Sequence, residues 1–206
     1  MTTTTATAAI AMLPPSTTYP SSWGNPRKVD GGANDIKTVA GNPLTLIGPE
    51  LKPGDKAPDF KLVDNGLKNV TLADTGHNVR IISVVPSLDT PVCDAQTKRF
   101  NEEAAKLPGV DILTVSMDLP FAQKRWCGAF GVDKVKMLSD HRDGSFGSNY
   151  GTLIKDLRIE SRAIFVLDRD NRILHAEYVG EVGDFPNYEA ALAAVRGAKA
   201  AGAASA

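Results

Sequence analysis

The chain has 206 residues, 42% of them hydrophobic and 23% charged, with 23 Lys and Arg against 24 Asp and Glu for a formal charge of -1. That is enough for one domain with a proper core plus tails. There is no basic excess to neutralise nucleic acid or an anionic membrane surface, and no run approaches the ~20 apolar residues of a membrane-spanning helix.

Residues 1–35 are rich in Thr, Ser, Ala and Pro and hold no acidic residue before Asp30. Such a segment buries little, and it is expected to be a disordered extension. Its scarcity of acids also fits import into an organelle through residues 1–35, although Arg27 and Lys28 are its only basic residues. The folded domain is placed at residues 36–196, with an Ala/Gly-rich tail at 197–206.

In chain order, residues 56–63 and 70–72 are predicted as strands around Asp64-Asn65-Gly66, whose Asn-Gly pair favours positive φ. This gives an N-terminal β-hairpin. The β-branched run at 80–85 has the character of a central strand covered on both faces. A helix follows, with Thr90 at the N-cap, Pro91 at the first helical position and Val92, Phe100, Ala104 and Leu107 on one face, until Pro108-Gly109 stops it. Residues 110–117 form another apolar strand, and Pro120 opens a second helix that reaches Phe130, interrupted by Gly128 and Gly131. A short edge strand is predicted at 135–138. Residues 163–167, a turn at 168–171 and residues 172–179 read as an antiparallel hairpin, followed by an Ala-rich helix at 188–195. A βαβ unit followed by a hairpin and a helix is the thioredoxin-like order, so the fold class is α/β.

Two cysteines, Cys93 and Cys127, are too few for a disulfide-stapled scaffold or a cysteine-rich zinc site, but enough for one redox couple. Cys93 sits three residues into its helix, where unpaired N–H groups and the positive end of the dipole favour an anion. Free cysteine is also a common buried hydrophobe, and a static Cys93–Cys127 disulfide would close a long loop. Position alone leaves these readings open. His77, His141 and His175 show no ligand spacing with the cysteines, so neither a metal nor another cofactor is expected.

Pro86-Ser87-Leu88-Asp89-Thr90-Pro91-Val92-Cys93 resembles the P-x-x-x-T-x-x-C signature around the attacking cysteine of peroxiredoxins. Asp118-Leu119-Pro120-Phe121-Ala122-Gln123-Lys124-Arg125-Trp126-Cys127-Gly128 narrows this to the thiol peroxidases, atypical two-cysteine peroxiredoxins. The similarity runs from about Thr38 to Leu192. It implies that Cys93 attacks a peroxide and that Cys127 resolves the sulfenic acid as an intramolecular disulfide. Arg162, in Ser161-Arg162-Ala163-Ile164-Phe165-Val166, matches the family's activating arginine, while Thr90 and Pro86 complete the pocket. The implied substrates are hydrogen peroxide and organic hydroperoxides, the implied reductant is thioredoxin, and the implied assembly is a homodimer. Cysteine usage points to the cytoplasm.

Thiolate formation alone does not make a fast peroxidase. A thiol of pKa ~8.5 is about 3% ionised at pH 7, so a pKa of ~6 raises thiolate roughly 30-fold. The accompanying loss of nucleophilicity, with a slope of ~0.4–0.5, takes back about 10- to 20-fold. Donors acting on the peroxide oxygens are required, and Arg162 and Thr90 are the candidates. Two other readings compete: a protein thiol–disulfide oxidoreductase, disfavoured by the absence of a Cys-x-x-Cys pair, and a non-catalytic redox sensor or binding module using the same disulfide.

Overall fold

The computed structural model describes residues 26–28 and 44–204. Its strands are β1 (Pro26–Lys28), β2 (Thr45–Ile47), β3 (Lys61–Asp64), β4 (Asn69–Thr71), β5 (Val79–Val84), β6 (Val110–Ser116), β7 (Lys136–Ser139), β8 (Leu153–Ile154), β9 (Ile159–Glu160), β10 (Ala163–Leu167) and β11 (Ile173–Tyr178). The helices are α1 (Pro91–Ala104), α2 (Pro120–Phe130), α3 (Ser145–Tyr150) and α4 (Tyr188–Ala204).

Seven strands form the main sheet in the order β11-β10-β5-β6-β7-β3-β4. β5, β6 and β7 run parallel, as their helical crossovers require, and the outer strands join antiparallel. All six residues of β5 are buried, as its β-branched run predicts. The period of two along each strand divides the core. Ile81, Ile112, Ile164 and Val166 face the layer that holds Cys93, Phe100, Trp126, Leu192 and Val195. Ile82, Leu113, Phe165 and Leu167 face the opposite layer with Phe146 and Tyr150. This is the thioredoxin-like α/β fold with an N-terminal β-hairpin.

Several expectations are corrected. The strand at 135–138 is not an edge strand, because the β3–β4 hairpin covers it: β7 pairs with β6 on one side and β3 on the other. In that hairpin the left-handed residue is Leu67 (φ 66°), not Asn65 or Gly66. Asp64 Oδ1 accepts the N–H groups of Gly66 and Lys68, which fixes the turn one residue later than Asn-Gly suggests. Residues 56–60 form no strand, only a bridge from Lys56 to Arg172.

Pro26–Lys28, inside the stretch expected to lack structure, add β1 to a second sheet of order β1-β2-β8-β9. The rest of that stretch lies outside the described residues. α3, β8 and β9 were not anticipated. They are too short to show a period, and α3 is mostly polar or Gly. No described helix is long and apolar enough to cross a membrane.

Candidate active site

β5 delivers the chain to the sheet's carboxyl end, and residues 85–90 turn it into α1. Thr90 is extended (φ -111°, ψ 144°), and Pro91 starts the helix with the φ its ring already fixes. Thr90 does not cap the helix with its side chain. Its hydroxyl donates instead to the Ser87 carbonyl at 3.0 Å. The N–H groups of Val92 and Cys93, in the first turn, are thus left uncapped by Thr90 and available to an oxygen-bearing ligand. Cys93 is completely buried, in the layer of Val85, Leu88, Phe100 and Ile164.

Arg162 comes to Cys93 by strand geometry. It precedes β10, whose first residue Ala163 pairs with Val84, the last of β5, so Arg162 lies level with the start of the loop to α1. It is two residues before Ile164 and shares its face, toward α1. Nη2 is 3.4 Å from Cys93 Sγ. Nη1 donates to Gln96 Oε1 at 2.6 Å, and Nε and Nη2 donate to the Val182 carbonyl at 3.1 and 3.0 Å. Gln96 is in turn fixed by donating to Ser83 Oγ at 2.8 Å. Of the five guanidinium N–H groups, these contacts use four among the described residues, which leaves one for a substrate oxygen. The permanent charge beside the sulfur stabilises negative charge on it.

A cavity of about 470 Å³ opens onto this cluster. Pro86, Thr90, Pro91, Val92 and Arg162 line one part, and Leu44, Ile154, Leu157, Ile159 and Val182 the apolar remainder. Cys93 lies one layer behind its neighbours Val92 and Arg162. The structure therefore brings together four of the expected residues: Cys93, Arg162, Thr90 and Pro86.

The fifth, Cys127, stands on α2, half-buried against the same apolar layer, and both thiols are free. Burial pushes the Cys127 thiol up from its ordinary value. The α2 end closes on this residue: the Cys127 carbonyl accepts from Gly131, in the left-handed region at φ 65°, and from Val132 at 3.1 Å. Asp118 ties the two cysteine segments at their other end. Its carboxylate accepts from Ser87 Oγ (2.8 Å), the Leu88 N–H (2.8 Å) and Ser116 Oγ (2.9 Å).

Gln96, Ser83, Val182 and Asp118 were missed in the sequence. Gln96 alone carried a signal there, three residues after Cys93 on one helix face. Among the described residues no cluster of three His, Cys, Asp or Glu could hold a metal ion. One further buried charge system lies under α3. Glu160, fully enclosed, lies within electrostatic reach of Asp140 and accepts from Thr152 Oγ at 2.6 Å. Desolvation raises both carboxyls, Asp140 to about 6 and Glu160 well above its ordinary value.

The family model described as Redoxin matches residues 52–192. A thiol peroxidase of Bacillus subtilis is 57% identical over 159 residues, 77% of this chain and 95% of that protein. One from Halalkalibacterium halodurans is 56% identical over 161 residues, 78% of this chain and 97% of its own. A peroxiredoxin-like protein from Aquifex aeolicus superposes with a TM-score of 0.74 at 42% identity, covering 80% of this chain and 97% of that one. Matches of this identity over nearly the whole of the relatives leave one assignment: the chain belongs to the Redoxin family, among the thiol peroxidases, and is a peroxide-reducing oxidoreductase.

Proposed function

We propose that Cys93 is the attacking and Cys127 the resolving residue, with Arg162, Thr90 and Pro86 completing the peroxide site. The observation that carries this reading is the Arg162 guanidinium 3.4 Å from Cys93 Sγ, beside an open cavity. The Cys93 thiolate attacks one oxygen of hydrogen peroxide or an organic hydroperoxide, the O–O bond breaks, and the other oxygen leaves as water or alcohol after taking a proton. Cys93 becomes a sulfenic acid. The free N–H of Arg162 and the uncapped N–H groups of Val92 and Cys93 are placed to hold the departing oxygen. With its own proton given to Ser87, Thr90 presents an acceptor to the O–H of the substrate.

Condensation of the sulfenic acid with the Cys127 thiol forms the S–S bond and releases water. An external dithiol then reduces that disulfide through a mixed disulfide. Phe130, three residues after Cys127 on α2 and 51% exposed, gives the resolving segment an apolar surface that favours a protein reductant over a small thiol. Thioredoxin is the donor implied by the family, as is the homodimer. The folded unit is assigned to residues 36–196, to which β1 adds Pro26–Lys28, and α4 continues beyond it through the expected tail to Ala204.

The test is turnover with peroxide and a thioredoxin system. Cys93→Ser should abolish peroxide consumption, whereas Cys127→Ser should complete one turnover and stall as sulfenic acid or a mixed disulfide. Wild-type rates in Cys93→Ser would end the proposal.

A further inference from the structure

Both thiols are free and both sit in helical turns, Cys93 fully buried and Cys127 half-buried. A disulfide needs the sulfurs at about 2.05 Å, so at least one turn must loosen before they join. What holds the two turns together therefore sets how fast a sulfenic acid at Cys93 is resolved. Lys98 occupies that position. Its Nζ lies 2.8 and 2.9 Å from the two oxygens of Asp94, the residue after Cys93. The same Nζ stands 3.6 Å from the centroid of the Phe130 ring and 5.9 Å from that of Trp126, the residue before Cys127. These rings pack against each other at 5.2 Å. One ammonium thus joins the residue following one cysteine to the aromatic pair flanking the other.

The turn it holds is weak by itself. Gly128 lies inside the last turn of α2 and Gly131 ends it, so the helix gains little there from its own propensity. Phe130 is 51% exposed and has few neighbours to replace a lost contact. Asn101 Oδ1 accepts the Lys134 N–H at 2.7 Å and ties α1 to the chain beyond α2 independently of Lys98.

We propose that Lys98 is a positioning residue that clasps the Cys127 turn to α1 and slows disulfide formation, lengthening the life of the Cys93 sulfenic acid. The proposal rests on Cys127 as the resolving residue. Two fates then compete. In one, Cys93–SOH and Cys127–SH give the disulfide and water; in the other, Cys93–SOH and a second hydroperoxide give Cys93–SO₂H and the alcohol, or water from hydrogen peroxide. By delaying the first, the clasp increases over-oxidation when peroxide is abundant.

The experiment is rapid-quench mass spectrometry of the reduced full chain after one equivalent of hydrogen peroxide, and again after a large excess. It compares wild type, Lys98→Met, which keeps an apolar stem but loses the cation, and Lys98→Arg, which restores it. In Lys98→Met the disulfide should form roughly 2- to 5-fold faster, the scale of one exposed cation–π contact, and the sulfinic fraction under excess should fall accordingly. The initial peroxide reaction should be unchanged, and Lys98→Arg should behave as wild type. Unchanged or slower disulfide formation in Lys98→Met, with the disulfide present in wild type, overturns the clasp alone. Absence of the disulfide in wild type removes the resolving role and the clasp with it. A slowed peroxide step in Lys98→Met would show that Lys98 supports the Cys93 loop rather than gating the second step, and also overturns the proposal.

Discussion

Arg162 and Cys93 lie 69 residues apart in the chain and 3.4 Å apart in space, with Arg162 held on its other sides by Gln96 and the Val182 carbonyl. A cation fixed by the protein's own acceptors needs little reorganisation when charge moves from sulfur to the departing oxygen. Strand pairing puts it there: β10 runs antiparallel to β5, so the residue before β10 meets the loop that leaves β5.

Removing that cation should cost more than any change confined to the pocket wall. Arg162→Ala should lower the second-order rate with hydrogen peroxide by ~10²-fold or more. Arg162→Lys should recover little, because a single ammonium cannot serve Gln96, Val182 and the sulfur together. The check is stopped-flow fluorescence of the reduced variants, and near-normal rates in Arg162→Lys would show that charge alone suffices.

Gln96 holds Arg162 by accepting from its Nη1 at 2.6 Å. Gln96→Ala leaves both Ser83 Oγ and Arg162 Nη1 without their partner, at a stability cost of about 1–3 kcal/mol. The rate with peroxide should fall by about tenfold, as expected when an aimed donor is released. Gln96→Met fills similar volume without the acceptor. If it keeps the wild-type rate, the role of Gln96 is packing.

Thr90 separates two roles that the sequence leaves entangled, since its position suggests a helix cap. The hydroxyl points to Ser87 and not to the helix, so Thr90→Val should barely change helix stability while slowing peroxide reduction by about tenfold or more. Thr90→Ser should be close to wild type. Equal losses of Tm and rate in Thr90→Val would favour a structural role.

The buried carboxyl pair gives a pH dependence. Asp140 is raised to about 6 and Glu160 well above its ordinary value, chiefly by desolvation, from unfolded values near ~4. Groups raised in the folded state bind protons more tightly there, so their contribution is fully present below ~4 and is lost as pH rises through about 6 and beyond. Glu160→Gln removes one of the two titrations while keeping the size of the side chain. Its Tm should match wild type near pH 4 and exceed it by a few degrees at pH 8. A difference that does not grow with pH would contradict this. Gly147→Ala should destabilise at every pH, because a Cβ there would lie 2.6 Å from Glu160 Oε1.

Much of the frame was legible because its signals are local. Pro91 and Pro120 mark helix starts, and the β-branched runs of β5 and β10 mark buried strands. Cys93 and Arg162 were found through short motifs whose strand and helix context is strong. The contacts that hold them were not legible. Gln96 to Arg162 and Asp118 to Ser87 each join segments distant in sequence, and a polar side chain gives no sign along the chain of what it will be buried against. The same holds for β7, which becomes interior only because the β3–β4 hairpin folds back beside it.

The most direct measurement mixes the reduced protein with one equivalent of hydrogen peroxide in a stopped flow, followed by quenching and peptide mass mapping. Trp126, packed in the layer that holds both thiols, supplies the optical signal. A second-order rate far above that of a free thiol, ending in a Cys93–Cys127 disulfide within one chain, is the expected result. A rate near that of a free thiol, or cysteines that never join, would contradict it and favour a redox sensor.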